Sequence, residues 1–177
     1  MKKSLLLLFL IVLFAGTIVG VSLFVIRSNY SANVRNVPQE LAKTETVKIF
    51  FIAMEDNGAL GKKIGCNDSA VAALRNVESS KATMQGALEE LLSIKDQYYG
   101  ESGLYNSLSL ANLQVEQVTI ENGKATIRLS GEYSFTGVCE DARFMSQIEE
   151  TAMQFDEVKD VEIILNSRSL DNMYKGE

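Results

Sequence analysis

Residues Leu5 to Ile26 make up 22 consecutive positions without a charge, almost all of them apolar. At about 1.5 Å of rise per residue, such a run spans the roughly 30 Å hydrocarbon core of a bilayer with little to spare. Peptide groups in lipid must be satisfied within their own segment, so the run is expected to be helical where it lies in a membrane. Lys2 and Lys3 precede it and Arg27 follows it, which places charge at both interfaces. The expectation is a transmembrane signal-anchor helix over residues 1–27. A cleaved signal peptide is the competing reading, but its apolar core usually runs to about 7–15 residues. No cysteine closes the run, which argues against a lipoprotein anchor.

Charge alone barely orients this segment, because Arg27, Arg35 and Lys43 offset Lys2 and Lys3. The signal-like position of the segment and the two cysteines tip the expectation toward a single pass with the C-terminal domain outside the cytoplasmic membrane. Beyond Arg27 lie all 23 acidic residues and 14 of the 17 basic ones, a formal charge of −9. That field repels nucleic acid and anionic lipid alike. Histidine is absent, which removes the commonest general base and the commonest metal ligand.

Residues 28–46, with Ser, Asn, Gln and the lone proline Pro38, have no apolar period and read as a flexible tether. A folded domain is expected over residues 47–170, with a short tail at 171–177. Val47 to Met54 carries apolar groups on both faces, as a central strand does. Ala70 to Val77 reads as a second strand. Ser79-Ser80 offers an N-cap for a helix over residues 81–95, whose stripe is Met84, Ala87, Leu88, Leu91 and Leu92. After a loop from Tyr98 to Leu110, Leu113–Glu121 and Lys124–Ser130 flank Asn122-Gly123, the strongest short hairpin signal. A second helix is expected over residues 141–155, with Phe144, Ile148, Thr151, Ala152 and Phe155 facing inward, and a closing strand over residues 161–166. The expected fold is α+β, one small mixed sheet packed by two helices in the order β-β-α-β-β-α-β.

Three stretches resemble the GerMN domain, the sporulation and spore germination family. They are Val47-Lys48-Ile49-Phe50-Phe51; Ala87 to Leu92 with Gly103 to Ser107 and the hairpin Gly123 to Ser130; and Gln147 to Phe155 with Val161 to Asn166. Ser167 stands where the family usually has glycine, and the loop Gly58–Ser69 is longer than typical. The resemblance implies a bacterial extracytoplasmic module, membrane-anchored in many members, without catalytic residues to carry over. It also implies a fold similar to ring-building domains of spore-forming secretion complexes.

Cys66 and Cys139 are the only cysteines. In an oxidising compartment they are expected to form a disulfide, and in the cytoplasm they would stay thiols. Two thiolates without histidine make a poor metal site, so no metal and no cofactor are expected. Glu89-Glu90, Glu140-Asp141 and Glu149-Glu150 are adjacent pairs, about 100° apart on a helix, and read as solvated faces and not as facing dyads. Glu55-Asp56-Asn57 reads as a turn and not as a calcium loop. Gly100-Glu101-Ser102-Gly103 lacks the lysine and spacing of a phosphate cradle. Ser102, Ser107 and Ser109 have no histidine to activate them. Tyr98, Tyr99 and Tyr105 either cap the core or present a partner surface.

The expected function is a non-enzymatic binding or assembly module of the cell envelope. Its partners would be the membrane through the anchor and an envelope protein or a second copy, and not nucleic acid. The rival is a carboxylate-dependent glycan hydrolase with two facing carboxylates in a cleft.

Overall fold

The computed structural model describes residues 43–170 except Ala82 and Phe135. The expected anchor, residues 1–27, most of the tether and the tail at 171–177 lie outside the described residues. Among the described residues no helix is long and apolar enough to cross a membrane.

β1 (Thr44–Ala53) pairs antiparallel with β3 (Ser69–Glu78), and the two-residue β2 (Lys62–Lys63) adds to the far side of β3. After a 3-10 turn at Ser79–Lys81 comes helix α1 (Met84–Ser93). A second sheet holds β4 (Asn112–Glu121), β5 (Lys124–Glu132), β6 (Asp160–Leu165) and β7 (Arg168–Ser169) in that order. Between β5 and β6 runs helix α2 (Val138–Met153), so β5 and β6 pair in parallel while the other pairs are antiparallel. The order of the longer elements is the expected one, with β2 and β7 added. The single sheet is corrected to two.

The turn and stripe signals locate these elements well. Asn122 and Gly123 both take positive φ, 51° and 84°, which is the requirement of a two-residue hairpin turn. All five residues of the α1 stripe are buried. Its cap differs from expectation: Thr83 Oγ1 accepts from the Gly86 amide at 3.2 Å. Ser79 instead donates from its amide and hydroxyl to the Lys43 carbonyl, fastening the end of β3 to the start of β1. Helix α2 begins three residues before the expected start. Ser167 takes a φ of 67° beside Asn166 at 48°, the left-handed turn where a glycine would carry no steric cost.

One main core lies between the helices and the two sheets, with Ile49, Phe51, Leu88, Leu91, Ile127 and Phe144 at its centre. β1 is not a central strand, since its sheet order places it at an edge. Its outer edge is nonetheless occupied. Ile52 exchanges backbone hydrogen bonds with Tyr105 at 2.9 and 2.7 Å. The Phe50 amide donates to Thr151 Oγ1 at 3.3 Å, and the Phe50 carbonyl accepts from Gln147 Nε2 at 2.8 Å. Lys48 donates to Gln154 Oε1 at 2.7 Å and accepts from Gln154 Nε2 at 2.6 Å. Residues 147, 151 and 154 are one helical stripe, and 48, 50 and 52 are alternate strand residues, so α2 acts as the missing neighbour strand.

Gln147 is the middle of that clamp. It is fully buried, and its Oε1 also accepts from the Ser107 amide at 2.8 Å and the Ser107 hydroxyl at 2.6 Å. Replacing it with leucine orphans two buried donors and a carbonyl, each worth about 1–3 kcal/mol. Gln147→Leu is expected to lower unfolding stability by about 3 kcal/mol in urea titration, whereas the exposed Gln85→Leu leaves the midpoint within experimental scatter.

Candidate functional site

The loop between α1 and β4 folds back on itself before it reaches the sheet. Asn106 directs this: it is fully buried, its Nδ2 donates to the carbonyls of Ile94 and Asp96, and its Oδ1 accepts from the Leu108 amide. Tyr105, Ser107 and Ser109 of this loop line a partly open groove of about 520 Å³, together with Lys95, Gln97 and Leu110. Glu132, Tyr133, Ser134 and Thr136, from the end of β5 and the connection to α2, line it as well, with Glu140 of α2.

A charge cluster fixes the floor. Asp68, fully buried, accepts from the Glu55 amide at 2.8 Å through Oδ1 and from Arg143 Nε at 2.7 Å through Oδ2. Arg143 donates to Glu140 Oε2 at 3.2 Å, and Tyr105 donates its hydroxyl to Glu140 Oε1 at 2.9 Å. The guanidinium carbon sits 5.8 Å from the centre of the Tyr105 ring. Burial works against the Arg143 charge, yet the hydrogen bonds to Asp68 and Glu140 outweigh it and hold the guanidinium above its ordinary range. Burial, followed by the bond to Glu140 and the proximity of that carboxylate, pushes the Tyr105 phenol from 10.0 up to about 12.

The Cys66–Cys139 disulfide is present beside this cluster, with the Cα atoms 5.7 Å apart. Cys139 is not in a loop. It is in the first turn of α2, because the helix begins at Val138. Both cysteines are exposed. The bond joins the β2–β3 loop to α2 just where Asp68 and Arg143 join them again.

The three tyrosines divide. Tyr99 caps the core, stacked on Phe51 with centroids 4.4 Å apart. Tyr105 belongs to the groove floor. Tyr98 is 46% exposed and meets Tyr105 edge to face at 6.0 Å, so it alone of the three stands at the surface. The carboxylate pairs are mostly structural: Glu90 pairs with Arg75 at 2.6 Å, Glu150 with Lys62, and Glu89 accepts from Gln85. Glu140 departs from the expected solvated face and lines the groove with Glu132. Both Glu140 oxygens accept hydrogen bonds, from the Tyr105 hydroxyl and from Arg143. Asp56 bonds to the Ser69 hydroxyl and to the amides of Leu60 and Gly58. The Ser69 bond chiefly lowers its pKa, against the smaller effect of burial. The Glu55–Asn57 loop is therefore a hydrogen-bonded turn. No group of three or more metal-ligating side chains occurs among the described residues.

Composition and spacing did not reveal the Asp68–Arg143–Glu140 cluster. Its members are 75 and 3 positions apart. The sequence carried no signal for it, because Arg143 lies off the apolar stripe of α2 and its partner Asp68 is in a distant loop.

A family model described as sporulation and spore germination matches residues 48–171. Among solved structures, the tandem GerMN domains of the sporulation protein GerM from Bacillus subtilis superpose with a TM-score of 0.51 at 15% identity. That match covers 73% of this chain and 41% of the other, so the chain spans about two fifths of the tandem protein. The first GerMN domain of the same protein gives 0.49 at 18% identity, over 72% and 86% of the two chains. A putative lipoprotein from Clostridium perfringens gives 0.42 at 14%, over 71% and 76%. A comparison with curated proteins finds no match.

Arg143→Leu leaves the Asp68 carboxylate buried and unpaired and is expected to cost about 3–5 kcal/mol. The double variant with Asp68→Asn should recover most of that loss in urea unfolding. The Tyr105 phenol holds its proton longer folded than unfolded, so its contribution is complete below pH 10 and is lost as pH rises toward 12. In an absorbance titration, Tyr105→Phe is expected to remove an ionisation step near pH 12.

Proposed function

This chain belongs to the sporulation and spore germination family, and from that premise we propose a membrane-anchored, extracytoplasmic GerMN-type module that binds or assembles without catalysis. The carrying observation is the groove floor, where the groups that would do acid–base chemistry are tied to one another. Glu140 is held by Tyr105 and Arg143, and Arg143 by the buried Asp68. These bonds hold the groove floor in one arrangement, which supports a binding role.

The apolar run Leu5–Ile26 supports an anchor at the cytoplasmic membrane. The exposed disulfide supports an oxidising compartment, because an accessible bond in the cytoplasm would meet the reducing pool. Confinement to a surface raises the effective concentration of the domain toward an envelope protein or a second copy.

Thiol alkylation in native membranes, with and without prior reduction, tests this when read by intact mass. The expected result is labelling of both cysteines only after reduction, on a protein that keeps residues 1–27. Labelling without reduction would move the domain to the cytoplasm, and a mass lacking the N-terminal segment would remove the anchor.

A further inference from the structure

The groove walls are chemically lopsided. Ser107, Ser109, Ser134 and Thr136 supply hydroxyls, Gln97 a carboxamide and Glu132 a carboxylate. The lining has one aliphatic side chain, Leu110, and at 98% exposure it stands clear of the groove and does not form a pocket. An apolar small molecule, or a peptide anchored by aliphatic or aromatic side chains, would find no cavity to bury them.

Charge excludes a second class. The two cations near the groove are both committed: Lys95 donates to the Ala111 carbonyl at 2.8 Å, and Arg143 is paired with Asp68 and Glu140. Glu132 and Glu140 face the groove, in a domain (residues 47–170) of formal charge −8. A phosphate, a nucleic acid or an acidic peptide would be desolvated beside these carboxylates with no uncommitted cation among the lining residues to pair with it.

The remaining lining is aromatic and fixed. Tyr133 packs on Phe144 with ring centroids 4.0 Å apart, and Tyr105 is held by its hydroxyl and by the Arg143 guanidinium. Rigid phenol rings set among hydroxyl, amide and carboxylate groups match a ligand with apolar C–H faces and a rim of hydroxyl and amide groups. We propose that this groove is a binding site for a neutral, hydroxyl- and amide-bearing oligosaccharide, held without cleavage. Its volume, about 520 Å³, lies within the ordinary range for ligand sites, and its open side admits a chain extending beyond it. The assignment rests on the non-catalytic binding role proposed above and names its ligand.

The test uses the full chain in detergent, with chitotetraose as the amino-sugar probe and cellotetraose as the probe without acetamido groups. NMR titration is expected to show saturable shifts confined to residues of the groove, with the sugar recovered intact. Saturation by chitotetraose alone identifies an amino-sugar chain, and saturation by both identifies a general β-linked glycan. The triple variant Gln97→Ala, Glu132→Ala, Thr136→Ala changes only exposed residues and should keep the thermal midpoint while losing at least tenfold in affinity. Absence of saturation by either sugar at 10 mM (about 3 kcal/mol of binding) overturns the assignment, as do shifts elsewhere or binding indifferent to the variant. If the sugars fail while the chain still crosslinks to one envelope protein or to itself, the ligand is wrong and the binding role stands. Released shorter sugars would instead overturn the non-catalytic role.

Discussion

The bonds that helix α2 makes to the outer edge of β1 organise the rest of this domain. An edge strand exposes a row of amides and carbonyls that either recruit another chain or must be covered. Here Gln154, Thr151 and Gln147 cover Lys48 and Phe50, and the Tyr105 backbone covers Ile52. Because Gln147 also accepts from Ser107, the same residue joins helix, strand and loop. Removing it loosens three elements at once. The long edge of the second sheet, β4, is treated differently, with a bulge between Val115 and Gln117 and with Glu116 and Glu121 along it.

The groove inherits its shape from that clamp and from the Asp68–Arg143 pair. Asp68 comes from the start of the β3 region and Arg143 from α2, and each ties down a backbone that would otherwise be a surface loop. The disulfide doubles this link. Buried ion pairs contribute little net stability, but breaking one by removing a partner is costly, so such pairs act to specify a geometry. The geometry specified is the position of Glu140 and, through it, of the Tyr105 ring.

Much of this was legible in the residues. The Asn122-Gly123 turn, the Met84–Leu92 stripe and the Ala125, Ile127, Leu129 alternation located a hairpin and a helix because each is set by neighbours within a few positions. The hydrophobic spacing carried the family resemblance. The illegible parts were all long-range. β1 looked central because its two faces are apolar, and only the structure reveals that side-chain amides occupy the place of a strand. One sheet became two for the same reason: alternation describes a face but not its partner. The expected helix start at 141 left Cys139 outside because Val138 and Gly137 give a poor helix start, and Gly137 at φ 142° is what lets the chain turn into α2 so early.

The chain preceding Lys43 passes directly into β1, and the groove wall meets β1 near its other end through Tyr105 and Ile52. A pull between those two points runs along the strand axis. Such a pull passes through the Ile52–Tyr105 backbone bonds and the side-chain bonds that Lys48 and Phe50 make to α2. A strand held this way along its outer edge shares a load applied at its start among several bonds, as a lap joint does.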